Sequence, residues 1–314
     1  MAKRMFKIEK EYERKSIDEI FKNFIMVKQA EGIAERTIKL YFYEYKHFKK
    51  FYDETNDIEQ GVIQFFSFKA TQAPVTYNMS YKVMNCLFNF AVSQGYMDVN
   101  PIKKIGLKAK RDDGKIRSIA DDKLKSFIKV LDLTEYVEFR DYVIILLMLD
   151  TGIRPSECFS LTDESIDFDE NIITISKEYA KTRNKRYLPI SNITKYGIMK
   201  LMGVKPMEWA NRHIFLSNTG GQLNVGLLDR RFRIYSKRCG IKITPYDLRH
   251  SYATKYLENA GNVFALQQVM GHAKLDMTKR YISVSNRLLK EEHQKATPLN
   301  NIIERSTKMT KLFK

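Results

Sequence analysis

Apolar side chains recur every three or four residues through the first third of the chain, which is the spacing of one buried helix face. This pattern predicts four helical segments, which begin near Ser16, Thr37, Ile58 and Val75. The first opens with a capping box, in which Ser16 is followed three residues later by Glu19. Asn100-Pro101 then interrupts the pattern, because the residue before a proline disfavours helical backbone. The pattern therefore predicts a compact all-helical domain over residues 1–107.

From residue 118 onward, helical segments are mixed with short strand-like segments. Residues 135–150 are largely apolar, which indicates a buried helix. Three short segments that are typical of strands follow, at 165–168, 172–176 and 186–190. The last two flank a polar loop and predict a β-hairpin. We therefore expect a mixed α/β domain over residues 118–314, in a chain that is mostly α with a small β-sheet.

Positive charge is the strongest feature of the composition. Lysine and arginine outnumber aspartate and glutamate by 54 to 37, which gives a formal net charge of +17. Such a charge favours polyanionic partners, nucleic acid first, and the alternative is a merely basic soluble protein. The basic residues that we predict to contact DNA are Lys103, Lys104, Lys108, Lys110, Arg111, Arg230 and Arg231. Residues 108–117 lack apolar periodicity and predict a basic linker, which either neutralises phosphates or is simply solvated.

Other features of the composition limit the classes of protein. Three cysteines lie far apart, which fits a reducing cytoplasm better than a disulfide framework. The longest strongly apolar run, residues 142–149, is much shorter than the roughly 20 residues of a membrane span. The five histidines show no metal-ligand spacing. We therefore expect a cytoplasmic protein with no metal, no cofactor and no membrane partner.

Candidate chemistry is concentrated between Ile243 and Tyr281. Thr244-Pro245 is typical of a helix start, and Arg249-His250 falls within that helix. A second short helix is predicted over residues 263–270, with Gly271-His272 directly after it. Tyr281 follows His272 by nine residues. An arginine, a histidine and a tyrosine are thus brought toward one place, which indicates a phosphate-binding site with a nucleophile beside it.

This stretch resembles the signature of the tyrosine recombinases, also called the phage integrase family. Their pattern is His-x-x-Arg-His, then Leu-Gly-His, then a tyrosine nine residues later. Arg249-His250, Gly271-His272 and Tyr281 match it in type and spacing. Tyr246 departs from it, because the family usually has a histidine at that position.

Two upstream motifs strengthen the resemblance. Arg154 and Glu157 match the family's Arg-x-x-Glu motif, which follows the predicted buried helix. Lys181 lies eight residues before Pro189 in the predicted hairpin loop and matches the family's catalytic lysine. Lys177 and Lys185 flank it, so the choice among these lysines stays open.

The resemblance implies a catalytic role for each of these residues. Tyr281 would attack phosphorus and form a covalent 3′-phosphotyrosyl intermediate. Arg154, Arg249 and His272 would stabilise the charge on the phosphate, and Lys181 would protonate the leaving 5′ hydroxyl. Glu157 would orient its neighbours. Tyr246 is a poor base at neutral pH, and whether Tyr246 or His250 replaces the missing histidine stays open.

The resemblance also implies an architecture and an assembly. The first domain would be a helical, SAM-like core-binding domain that clamps DNA, and the second would be the mixed α/β catalytic domain. Four protomers would act on paired double-stranded DNA sites through a Holliday junction. No arm-binding module is evident, which favours a Xer-like or simple mobile-element recombinase. The alternatives are a non-catalytic DNA-binding protein with this fold and an enzyme similar to type IB topoisomerases.

The chain continues for 33 residues after Tyr281. Leu288, Leu289, Leu299, Ile302 and Ile303 make this tail too apolar to remain in water. We expect the tail either to fold back on its own domain or to pack against a neighbouring protomer.

Overall fold

The computed structural model describes residues 15–55, 57–112, 118–178, 185–206, 208–209, 211–259, 261–282, 294 and 297–299. The chain divides into two units, Met1–Gly114 and Lys115–Lys314. Both are helical, and the second also contains a small antiparallel sheet. The predicted fold class, mostly α with a small β-sheet, is confirmed. Among the described residues, no helix has the length and apolar character needed to cross a membrane.

The first unit is a helical bundle around an aromatic core. Its helices are α1 (Ile17–Ala30), α2 (Glu35–Phe48), α3 (Ile58–Lys69), α4 (Pro74–Ser93) and α5 (Pro101–Lys104). The capping box at Ser16 is confirmed, because the Ser16 hydroxyl accepts from the Glu19 N–H at 3.2 Å and the Glu19 carboxylate accepts from the Ser16 N–H at 2.9 Å. Phe24, Phe48 and Phe65 are fully buried in the core. Burial of these rings is the main force that holds the bundle together.

The segment after α5 stays attached to the first unit beyond the point at which the linker is expected to begin. The Lys110 N–H donates to the side-chain oxygen of Asn78 at 2.7 Å, and the Asn78 amide donates to the Lys110 carbonyl at 2.8 Å. The Lys110 ammonium lies 4.7 Å from the centre of the Tyr77 ring. A single asparagine side chain thus pairs with this backbone as a neighbouring strand would, which hydrophobic periodicity does not reveal.

The second unit contains eight α-helices and three strands within the described residues. The helices are α6 (Asp121–Lys129), α7 (Tyr136–Thr151), α8 (Pro155–Cys158), α9 (Asn192–Gly203), α10 (Val225–Cys239), α11 (Pro245–Glu258), α12 (Val263–Met270) and α13 (Leu275–Ile282). The strands are β1 (Ile166–Asp167), β2 (Ile172–Ile175) and β3 (Arg186–Pro189), paired antiparallel in that order. The predicted hairpin is confirmed in the register of β2 and β3, while its connecting residues 179–184 lie outside the described residues.

The central element of the second unit is α7, which packs against α9 and α11. Val143, Ile144 and Leu147 have no exposed surface, so the prediction of a buried helix is confirmed. The helix ends at Gly152, whose φ of +61° is a left-handed conformation that favours glycine. A Cβ atom at this position would lie 2.3 Å from the Tyr252 ring. Gly152 therefore allows α11 to approach the end of α7, and this approach positions the candidate site.

A buried polar network fixes α10 against α7. Asp141 has no exposed surface and accepts from the Tyr235 hydroxyl at 2.6 Å and from Arg231 Nε at 3.1 Å. Arg140 donates to the other oxygen of Asp141 at 2.6 and 3.0 Å. Arg231 also donates to Glu138 at 3.2 Å. These bonds satisfy a carboxylate that would be costly to bury alone.

Candidate active site

Two helix ends hold the two arginines of the signature. The last carbonyls of a helix lack intrahelical partners and carry partial negative charge, so they attract cations. Arg249 on α11 donates to the Gly152 carbonyl at the end of α7 and to the Met270 carbonyl at the end of α12, the latter at 2.6 Å. Arg154 donates to the Gly271 carbonyl at 3.0 Å. Backbone carbonyls at helix ends therefore help to fix both guanidinium groups.

A third arginine, Arg186, joins them from the start of β3. Its Nε donates to the Val269 carbonyl at 3.0 Å. The consecutive carbonyls of Val269, Met270 and the cap residue Gly271 therefore each accept from one arginine. Arg186 was missed by sequence reasoning. The available signal was the alternation in β3, where Arg186 and Leu188 face inward while Tyr187 and Pro189 face outward. A charged residue at an inward position of a strand indicates a buried partner.

That partner is Glu157, which has no exposed surface. Arg186 binds both of its oxygens, with Nη1 to Oε1 at 3.0 Å and Nη2 to Oε2 at 2.5 Å. Arg154 Nη1 donates to Oε1 at 2.9 Å, and the Arg154 N–H donates to Oε2 at 3.1 Å. Burial favours the neutral acid, but the bonds and charges of Arg186 and Arg154 outweigh it and lower the pKa of Glu157. Glu157 is therefore an anion that orients two arginines.

Gly271 permits this crowding. Its φ of +61° is left-handed, and it caps α12. A Cβ atom here would lie 3.2 Å from Cδ of Arg186 and 3.3 Å from Nη1 of Arg154. Either arginine would have to shift to admit a side chain, so the Gly-His pair of the signature has a direct steric basis.

His272 is held in one orientation by two neighbours. Its Nδ1 lies 2.8 Å from the Thr278 hydroxyl, and its Nε2 lies 3.4 Å from Nη2 of Arg249. Burial and the adjacent charges of Arg249, Arg154 and Arg186 lower the pKa of His272 to about 4. The ring is therefore neutral at physiological pH. Since an arginine only donates, Nε2 accepts from Arg249 and Nδ1 carries the proton toward Thr278.

The same excess of positive charge acts on Arg249. Burial, followed by the charge of Arg154, lowers the pKa of Arg249 to about 9. Arg249 still remains a cation at neutral pH. Among the described residues, Glu157 is the one carboxylate bound by this buried group of cations, so an anion that entered the site would relieve their mutual repulsion.

Tyr281 lies in the last turn of α13 and is only 6% exposed. Its ring packs in an apolar cluster that includes Tyr252, Leu257 and Met270. Its hydroxyl oxygen lies 2.7 Å from Nδ1 of His250. The ring of His272 is nearly parallel to the Tyr281 ring, at 8° and a centroid distance of 6.5 Å. The structure thus brings Tyr281, His250 and His272 into one site.

Tyr246, the departure from the family pattern, is located differently. It lies in the first turn of α11 and is 53% exposed. It lines a groove of about 830 Å³ between α10 and α11, together with Arg233 and Lys237. The ring nitrogen beside the Tyr281 hydroxyl belongs instead to His250, which lies one turn further along α11 than Tyr246.

Lys181, the predicted general acid, lies outside the described residues, as does most of the apolar tail after Tyr281. The strands on both sides of the Lys181 loop are described, and Arg186 pairs with Ile175 across the hairpin. Strand β3 therefore begins at the site, because its first residue, Arg186, contacts Glu157 there.

The basic residues predicted to contact DNA differ in their surroundings. Lys103, Lys104, Lys108 and Arg111 are exposed on the first unit, and Arg230 is exposed on α10. Lys104 forms an ion pair with Glu59. Lys110 is half-buried over Tyr77. Arg231 is bound within the polar network of Asp141 and Glu138, so the structure gives it a structural role.

Comparison with known proteins identifies the family. Residues 117–287, more than half of the chain, match the Phage integrase family. The chain belongs to this family of tyrosine recombinases. It is a site-specific recombinase, and the arginines, histidine and tyrosine of its signature lie together around the end of α12.

Individual relatives agree with this assignment. The recombinase is 26% identical to the tyrosine recombinase XerA of Pyrococcus horikoshii over 298 residues, which cover 94% of this chain and 99% of XerA. Its fold is similar to that of the Tn1549 transposon integrase in complex with transposon right end DNA, with a TM-score of 0.68, 16% identity and coverage of 90% and 99% of the two chains. It is also similar to a lambda integrase dimer bound to a COC′ core site, with a TM-score of 0.69, 17% identity and coverage of 83% and 96%.

Proposed function

We propose that this recombinase cuts and rejoins double-stranded DNA through a covalent 3′-phosphotyrosyl intermediate, with Tyr281 as the nucleophile. The observation that carries the proposal is the convergence of Tyr281, Arg154, Arg249 and His272 around the C-terminal end of α12. A covalent intermediate conserves the energy of the broken phosphodiester, so no external energy source is needed.

Arg154 and Arg249 are proposed to bind the non-bridging oxygens of the scissile phosphate. Each guanidinium carries five N–H donors, more than the carbonyl and carboxylate contacts described above require. The forked geometry of arginine matches phosphate, and its charge persists at neutral pH. Because helix ends hold both groups in advance, little reorganisation is needed as negative charge develops.

Four further residues complete the proposed mechanism. Lys181 protonates the leaving 5′ oxygen from the hairpin loop. Glu157 acts as a positioning residue, since it holds Arg154 and Arg186. His272 contributes a hydrogen bond to the phosphate once the bound anion raises its affinity for a proton. Tyr246 lies at the rim, where its hydroxyl can donate to the DNA backbone.

We further infer that the substrate is a pair of DNA sites, acted on in the cytoplasm by four protomers through a Holliday junction. The net charge of +17 and the exposed residues Lys103, Lys108, Arg111 and Arg230 support an extended contact with phosphates. The Tn1549 and lambda integrases, whose folds are similar, were both solved on DNA.

The proposal is tested with a nicked DNA substrate that carries a candidate site. The nick releases a short 5′-hydroxyl fragment after cleavage, so the covalent product accumulates. We expect the wild-type protein to form a DNA adduct and Tyr281→Phe to form none while it still binds DNA. Tyr256→Phe serves as the control and should cleave normally. An adduct that persists in Tyr281→Phe would overturn the proposal, as would DNA binding by the wild-type protein without any cleavage.

Lys181 has a test of its own, based on the leaving group. Lys181→Ala should lose about 100-fold in cleavage rate, the usual effect of removing one preorganised donor. A 5′ sulfur leaving group should restore the rate, because a thiolate leaves without a proton. If the sulfur instead rescues Lys177→Ala or Lys185→Ala, the general acid is that lysine and not Lys181.

A further inference from the structure

We propose that His250 is the base that accepts the phenolic proton of Tyr281 during strand cleavage. The inference rests on the proposed role of Tyr281 as the nucleophile. It assigns the proton transfer to a residue that directly follows the phosphate-binding arginine in the sequence. It also explains how the recombinase works with a tyrosine at position 246.

The geometry places a proton acceptor, the His250 ring, beside the hydroxyl of Tyr281. Nδ1 of His250 lies 2.7 Å from the hydroxyl oxygen of Tyr281, a normal distance for a hydrogen bond from a phenol. The ring centroids are 5.8 Å apart and the planes are tilted by 39°. With its proton on Nε2, a neutral imidazole presents the Nδ1 lone pair to the phenol.

The helix around His250 is fixed. The neighbouring residue Arg249 is bound to two helix-end carbonyls, Gly152 and Met270, and the His250 carbonyl accepts from the Thr254 hydroxyl at 3.0 Å. His250 is half-buried, and Tyr281 is 6% exposed. This setting limits competition from water for the phenolic proton.

The other candidates for the base are less suitable. Tyr246 carries a phenol, a functional group that is a poor proton acceptor near neutral pH, and it is 53% exposed at the rim of the α10–α11 groove. His272 already uses Nε2 to accept from Arg249 and Nδ1 to donate to Thr278. Its lowered pKa, about 4, also makes it a weak base. Imidazole is the side chain most often used for base catalysis near neutral pH, and the His250 imidazole already lies beside the Tyr281 hydroxyl.

The proposed step is balanced in atoms and charge. The Tyr281 oxygen forms a bond to phosphorus while the bond from phosphorus to the 5′ oxygen breaks. The phenolic proton moves to Nδ1 of His250, and the leaving 5′ oxygen receives a proton from the general acid, proposed as Lys181. When a 5′ hydroxyl attacks the intermediate to reseal the strand, His250 returns its proton to the departing phenolate.

The test compares three variants with the wild-type protein on the nicked substrate. His250→Gln retains an acceptor for the phenol but has no basic nitrogen, and Nδ1-methylhistidine at position 250 keeps the ring but blocks the accepting atom. Both should cleave about 100-fold more slowly or worse, within the usual range of base catalysis, and both should bind DNA as the wild type does. Tyr256→Phe, which has no role in the proposed mechanism, is the control and should cleave at a rate within a few-fold of the wild type.

A more acidic nucleophile separates proton transfer from positioning. Trifluorotyrosine at position 281 ionises more readily than tyrosine, so it needs the base less. We expect the loss caused by His250→Gln to shrink at least tenfold in the trifluorotyrosine protein. An equal loss with either nucleophile would reduce His250 to a positioning residue and overturn the proposal.

Two other outcomes would also overturn it. Cleavage that becomes faster in the His250 variants would mean that the hydrogen bond between His250 and Tyr281 holds Tyr281 in an inactive position. Cleavage unchanged by methylation of Nδ1 would mean that another group takes the proton. Both results are distinguishable from failure of the proposed function itself, because that failure would appear as cleavage by Tyr281→Phe.

Discussion

Arg154, Arg186 and Arg249 place three guanidinium groups around the single carboxylate of Glu157 within the described part of the site. The surplus of positive charge is partly buried, which explains the lowered pKa of both Arg249 and His272. Carbonyls at the end of α12 compensate for part of this charge. The free protein thus carries an electrostatic cost that a bound anion, such as the proposed phosphate, would relieve.

The state of His272 provides a prediction at this scale. The folded-state pKa of about 4 lies below the ordinary value of 6.5, so the unfolded chain binds a proton first as the pH falls. The contribution of His272 therefore lowers the stability of the fold as the pH drops from 6.5 toward 4 and has no effect above that window. NMR titration of labelled histidines, with His272→Gln for assignment, should show a neutral His272 ring at pH 5.5.

The same titration has an internal control. Arg154→Met removes one of the adjacent cations and should raise the pKa of His272 toward its ordinary value. A ring that titrates at 6.5 or above in the free wild-type protein would contradict the electrostatic description of the site.

At the scale of the elements, local sequence signals define the helices that carry the site. Thr244-Pro245 starts α11 and Gly271 ends α12, both as capping rules predict. The relations among the elements were not predictable in this way. Arg186 and Glu157 are 29 positions apart, and Arg231 and Asp141 are 90 positions apart. Such pairs depend on tertiary packing, which hydrophobic periodicity does not encode, so Arg186 was missed and the ion pairs of Arg231 were not predicted.

The ion pair between β3 and α8 should be essential to the site. Arg186→Met leaves the buried Glu157 with Arg154 as its remaining described guanidinium partner, and we expect a loss of about 3 to 5 kcal/mol in the free energy of unfolding. The matched control is Arg212→Met, which breaks the exposed pair with Glu164 and should cost less than about 1 kcal/mol. Chemical denaturation measures both losses.

Activity should separate from stability in the double variant Arg186→Met, Glu157→Leu. Removal of both charges eliminates the unpaired carboxylate, so much of the stability should return, while cleavage stays low because Arg154 loses its orienting partner. Full recovery of cleavage in this variant would show that the pair serves stability alone.

Two adjacent arginines on α10 should behave differently. Arg231→Met removes donors from the buried carboxylate of Asp141 and should lower the free energy of unfolding by about 1 to 3 kcal/mol. Arg230 is exposed, so Arg230→Met should leave stability within about 0.5 kcal/mol and weaken DNA binding instead. A titration of DNA affinity against salt should show its slope reduced by about one in Arg230→Met. Equal effects of the two variants on stability would contradict the assignment.

At the scale of the whole molecule, the charge of +17 is spread over both units. If DNA is gripped by both, the logarithm of the affinity should fall steeply and linearly with the logarithm of the salt concentration, because bound counterions are released. Binding titrations of the full chain between about 50 and 200 mM salt test this. The change in slope caused by Arg230→Met is the reference for a single phosphate contact. A slope near zero would contradict an extended phosphate contact.

The organisation of the whole chain was largely predictable, because composition and periodicity are properties of the sequence itself. The helical first part, the mixed second part and the small sheet follow from apolar spacing and strand-like segments. The attachment of Lys110 to the first unit was not predictable, since it depends on one side chain, Asn78, folding against a distant backbone segment.

The central claim is that Tyr281 forms the covalent bond to DNA, and the most direct measurement is to locate that bond by mass spectrometry. Trypsin should release residues 281–287 as a peptide in which Tyr281 is the only tyrosine, because Arg280 and Arg287 flank it. After reaction with the nicked substrate and digestion of the DNA, the peptide should carry a nucleotide through a 3′-phosphate on Tyr281. A nucleotide on Tyr246, Tyr252 or Tyr256 instead, with peptide 281–287 unmodified, would contradict the account.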